Sequence, residues 1–92
     1  MSYENKIKEL GIVLPKATDP VGSYLATKII GKMLFISGQI SISEKGELIK
    51  GKLGNELTTE AGYNAAKRCA LSIVSQVKKA CNDDLSKIKS CI

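Results

Sequence analysis

Between Tyr24 and Gln39 the chain carries two apolar runs of strand length, YLATKII and MLFISGQ, joined by Gly31-Lys32. A glycine-led two-residue link between such runs predicts a β-hairpin closed by a type II′ turn. Successive side chains alternate across a strand. Leu25 and Ile29 thus point one way and Ala26 and Ile30 the other, while Met33 and Phe35 oppose Leu34 and Ile36. Both faces are apolar, so both need cover. That demand is hard to meet with 92 residues, which suit one domain spanning 1–92. A domain of this size buries only roughly 60–65% of its unfolded surface.

The strongest covering element is a helix from Thr58 to about Cys81. Thr58 can cap it and Glu60 suits the positive end of its dipole. Ala66, Cys69, Ala70, Ile73, Val77 and Ala80 recur at three- and four-residue steps and mark its expected buried face. Asn82-Asp83-Asp84 ends it. One helix, about 10 Å across, covers roughly two strands spaced at 4.8 Å, and on one face only. The remaining pieces are small. Ser2 can cap a short helix over Tyr3–Leu10 that stops at Gly11. Residues 11–23 hold both prolines and read as irregular lead-in. Residues 41–57 predict a turn at Glu44–Gly46 with short extended flanks. Leu85 to Ile92 starts a third strand, with Ile88, Ser90 and Ile92 on one face.

The second face of the hairpin therefore points to a further copy of the chain as its cover, the alternative being an exposed, association-prone patch. Ser37-Gly38-Gln39 interrupts the apolar run where such a subunit boundary would lie. Gly38 lets a ligand approach the backbone, and its N–H with the Ser37 hydroxyl could hold a carboxylate. A purely structural role is equally compatible: a β-bulge at Gly38, with Ser37 and Gln39 satisfying loose backbone groups.

Several chemistries are disfavoured. The chain has no histidine, which removes Ser-His-Asp and Cys-His arrangements, and with three scattered cysteines it leaves no zinc set. Cys69 and Cys81 would lie about 18 Å apart on one helix, beyond any disulfide. Gly51-Lys52 is followed by Leu53 rather than Ser or Thr, so it is not a phosphate loop. A net charge of +5 invites nucleic-acid binding. Against it, Arg68 is the single arginine and Phe35 the single phenylalanine, leaving little to read or stack on bases. No apolar run nears the roughly 18 residues of a membrane span, and Met1–Lys6 lacks a leader's layout. The expected location is cytoplasmic, without membrane contact.

The order of parts resembles a known family. Gly22-Ser23-Tyr24, the turn at Gly31, Leu34-Phe35-Ile36-Ser37-Gly38-Gln39, the glycines at 51 and 54, the helix LTTEAGYNAAKRCALSIVSQVKKAC and the closing DLSKIKSCI are similar to the Rid/YjgF family of reactive intermediate deaminases, also called endoribonuclease L-PSP. The resemblance covers nearly all of the chain from residue 20 onward. It implies an α+β, chorismate-mutase-like fold assembled as a homotrimer, with small-molecule sites in clefts between subunits. It also implies hydrolysis of enamines and imines to 2-ketoacids and ammonia, without metal or organic cofactor. On that pattern Tyr24 lines the cleft, Ser37 and Gly38 border the substrate carboxylate, and Gln39 completes the substrate-binding set.

The family's carboxylate-clamping arginine, its water-positioning glutamate and its last strands have no counterpart here, and Arg68 sits in the helix. The resemblance therefore implies a chain matching the first two-thirds of a family member, with C-terminal strands missing and without deaminase turnover of its own. No catalytic residue is assigned. Two other functions stay open: a non-catalytic oligomer binding 2-ketoacids in the same cleft, and an endoribonuclease or RNA-binding protein, favoured only by the charge.

Overall fold

A computed structural model describes residues 3–17 and 25–92. Helix α1 (Tyr3–Glu9) forms where expected and ends one residue early; Ser2, its expected cap, lies outside the described residues. Strands β1 (Thr27–Ile30) and β2 (Met33–Ile36) pair antiparallel, with Ile30 opposite Met33 and Thr27 opposite Ile36. Of the two turn residues only Gly31 takes a positive φ, 60°, as a type II′ turn requires. The ladder is shorter than the apolar runs, although the Ser37 N–H still donates to the Ala26 carbonyl at 3.0 Å.

Helix α2 (Thr59–Ala80) is capped by Thr58, whose hydroxyl accepts from the Ala61 N–H at 3.1 Å. Thr58→Ala should cost about 1 kcal/mol in urea denaturation; an unchanged midpoint would show that the cap is dispensable. The helix ends where the aspartates begin, with Asn82 and Asp83 at φ 55° and 65°. It lies against the hairpin face that carries Thr27, Leu34 and Ile36, which are half-buried. The opposite face stays open: Ile30, Met33 and Phe35 are 58%, 55% and 51% exposed.

Two sequence expectations are corrected. The first concerns the stripe expected to be buried on α2. Ala66, Ala70 and Ile73 are exposed and Cys69, Val77 and Ala80 only half-buried, whereas Ser75 and Gln76 are the buried residues of the helix. The cause is hydrogen bonding. The inward face meets loop backbone, whose carbonyls need donors. Arg68 Nε donates to the Ile42 carbonyl at 2.7 Å and the Ser75 hydroxyl to the Pro15 carbonyl. Alanines and isoleucines could supply neither.

The second concerns the chain after the helix. Leu85–Lys87 forms a 3₁₀ turn, and residues 88–92 are irregular rather than a third strand. The Asp84 carboxylate caps the turn, accepting from the Ser86 N–H at 3.0 Å. A strand needs a ladder partner, and Ile88–Ile92 finds none among the described residues. Leu85 instead buries its side chain to 4% exposure, and its N–H donates to Glu4 Oε1 at 2.7 Å, docking the turn onto α1.

Between the sheet and α2 the expected turn at Glu44–Gly46 is present. Ile42 pairs with Leu48, and Ser41 and Ile49 share two bonds, at 2.8 Å from the Ile49 N–H and 2.6 Å from the Ser41 hydroxyl. No helix among the described residues is long and apolar enough to cross a membrane. The surface is large for the mass. The chain exposes 7446 Å², where a folded monomer of this mass shows about 5,200 Å². Its radius of gyration is 14.5 Å, against about 12 Å for a compact domain of this length.

Candidate ligand site at the end of β2

The register places Ser37 opposite Ala26, on the same side of the hairpin as Met33, Phe35 and Ile30. The polar triplet thus stands at one end of the uncovered apolar face. Two of its side chains are already engaged. Ser37 Oγ donates to the Ala26 carbonyl at 3.1 Å, and Gln39 Nε2 donates to the Ser37 carbonyl at 3.2 Å. Those bonds match the structural role the sequence left open for both residues.

Gly38 differs. It is exposed, and its N–H makes no hydrogen bond among the described residues. A Cβ built there meets nothing within 4 Å. With the one Ser37 proton committed, the triplet still offers the Gly38 and Gln39 N–H groups and the second Gln39 Nε2 proton, and of these the Gly38 N–H belongs to the exposed residue. Tyr24, the other expected contact, lies outside the described residues. Arg68 is engaged nearby along the chain: its Nε donates to the Ile42 carbonyl, three residues beyond Gln39. The sequence offered no sign of that contact, because it joins residues 26 positions apart.

A tight loop precedes α2. The Glu56 carboxylate accepts from the Lys52 N–H at 2.6 Å, and Gly51, at φ 140°, passes so close that a Cβ there would stand 2.9 Å from that of Glu56. The Lys52 N–H holds the Glu56 carboxyl below its ordinary value. Folding thus favours the ionised form, so this contact helps above the ordinary glutamate pKa and is lost as pH falls through the lowered one. The Lys52 amide resonance should accordingly titrate with a midpoint below that of a free glutamate in the same buffer. A midpoint at or above that value would contradict the contact.

Residues 4–92 match the profile of the family described as "YjgF/chorismate mutase-like, putative endoribonuclease". The chain belongs to that family. It is 37% identical over 86 residues to Protein TCP17 of Trypanosoma cruzi, an alignment covering 94% of this chain and 53% of that protein. Its fold superposes on a structure titled a putative endoribonuclease from Shewanella oneidensis with TM-score 0.88 and 33% identity, covering 98% of this chain and 59% of that one. A protein of unknown function from Agrobacterium tumefaciens, Atu1372, gives TM-score 0.81 and 38% identity over 97% of this chain and 54% of its own. The chain thus spans somewhat over half the length of these relatives. The hairpin and the long helix are the α+β, chorismate-mutase-like parts the sequence implied.

Proposed function

We propose that this YjgF-family chain binds the carboxylate of a small 2-imino or 2-keto acid at the polar end of β2, in a cleft closed by further copies of the chain. The observation that carries this is the unpartnered Gly38 N–H at the edge of an open apolar face. A donor beside a greasy wall suits a short acid with an anionic head and an apolar tail. The reaction class implied by the resemblance is imine hydrolysis. Water adds to C2, the C–N bond breaks, and nitrogen leaves as ammonia, giving the 2-ketoacid. Among the described residues no carboxylate hydrogen-bonds to the triplet, and the role proposed for this chain alone is binding without turnover.

The test uses two variants of Gly38. It has an ordinary φ and open space, so Gly38→Ala keeps the donor without strain, while Gly38→Pro removes it. A 2-ketoacid such as 2-oxobutyrate should raise the melting temperature of the parent and the alanine variant and leave the proline variant unmoved. No release of ammonia from a freshly generated 2-iminoacid should exceed that of buffer. Equal shifts in both variants, or no shift in the parent, would refute the site. Turnover above buffer would refute the binding-only role.

The family description and one relative's title name an endoribonuclease, which supports RNA as a second reading. A retarded RNA band that weakens steeply with salt would favour it, and no retardation would remove it.

A further inference from the structure

The hairpin leaves one strand edge unguarded. The Ser37 N–H donates to the Ala26 carbonyl, which makes Ala26–Ser37 a hydrogen-bonded pair of the antiparallel ladder. Bonded and non-bonded pairs alternate, so at Thr27–Ile36 and Ile29–Leu34 the N–H and C=O groups point away from the partner strand. On β2 these outward groups belong to Leu34 and Ile36, and they meet no hydrogen-bond partner among the described residues. β1 carries Lys28, a charge of the kind that blunts an edge, whereas β2 reads Met-Leu-Phe-Ile and carries none. Resting on the reading that copies of the chain meet over the open face of the hairpin, we infer that residues 88–92 of a neighbouring copy add as a third strand along this edge of β2.

Ile88-Lys89-Ser90-Cys91-Ile92 alternates as a strand does, yet it is irregular and without a ladder among the described residues. The turn before it is held on α1 by the Leu85 N–H bond to Glu4, while Lys89 to Ile92 are exposed. Extended, five residues reach roughly 17 Å, enough to run along the four residues of β2. The outward groups of Leu34 and Ile36 and those of the added strand then satisfy one another. With Ile88 and Ile92 on the side of Met33 and Phe35, the strand widens the apolar face, and Lys89 supplies the charge that the bare edge lacked. The Gly38 N–H, past the end of β2, stays available to a ligand. The occupant is a second copy on grounds of area. The chain exposes about 2,200 Å² more than a folded monomer of its mass, the share each partner buries in an obligate interface. Donor segment and acceptor edge are different parts of the chain, so the contact runs head to tail, and such contacts can close into rings.

Hydrogen exchange of the Lys89, Ser90, Cys91 and Ile92 amides, followed by NMR at low and high protein concentration, tests this. An added edge strand pairs every second N–H, so two alternate amides should slow by about tenfold or more as the assembly forms. Ser90→Pro together with Cys91→Pro removes an N–H facing β2 whichever residues face it, and should weaken association by about tenfold or more. Ser90→Ala keeps the N–H and should change association by about twofold at most. Both positions are exposed, and melting of the dilute, unassociated variants should match that of the parent. Assembly with all four amides fast, or undiminished in the proline variant, would overturn the strand and leave the shared cover standing. Protection already complete in dilute single chains would put the segment on its own copy, against the inference. No assembly at any concentration would remove the shared cover and the strand together.

Discussion

Leu85→Ala should cost about 2–5 kcal/mol in urea denaturation, as truncation of a buried leucine does. Among the described residues Leu85 is the one buried apolar side chain. It lies where the 3₁₀ turn docks on α1, beside its own N–H bond to Glu4. A chain of this length has roughly 5–14 kcal/mol in total, so the variant should lose about a seventh of it at the least and most of it at the other end of the range. Leu25→Ala is the control, because Leu25 is 67% exposed. A loss below about 1 kcal/mol for Leu85→Ala, or equal losses for both, would place the core elsewhere.

Phe35→Asp should abolish self-association without unfolding the protomer. Phe35 sits mid-face on the open side of the hairpin, half-exposed in a single chain. Aspartate there costs the isolated protomer little. Closing an identical neighbour over it would bury an unpaired carboxylate, at a penalty of several kcal/mol. We expect the association constant to fall by about a hundredfold or more. Ketoacid binding should be lost with it, since the proposed cleft needs the neighbour's wall. Unchanged association would show that subunits meet through another surface.

The hairpin, its turn and the helix cap were legible because local rules decide them. Gly31-Lys32 can close only a narrow set of turns, and Thr58 precedes a long apolar period. The face of α2 was not legible. Periodicity marks the apolar stripe, but the inward side is set by carbonyls of Pro15 and Ile42, which sequence spacing does not place near the helix. The stretch after Asp84 misled for a related reason. Alternating Ile88, Ser90 and Ile92 read as a strand, yet strands exist only in pairs, whereas Asp84 followed by Ser86 was a visible cap for a short helical turn. At the candidate site the triplet itself was conspicuous. Which of its groups is available was not, because Ser37 spends its proton on Ala26, just before the other strand.

The surplus of about 2,200 Å² over a folded monomer of equal mass matches the share each partner buries in an obligate interface, about 1,000–2,500 Å². Sedimentation equilibrium of the unmodified chain over a wide concentration range addresses this most directly. Copies that shield one another's exposed ribbon should sediment as a reversible assembly, with limiting mass close to three times 9.9 kDa. A single species of 9.9 kDa at every concentration, still folded, would contradict the shared cover and the cleft that depends on it.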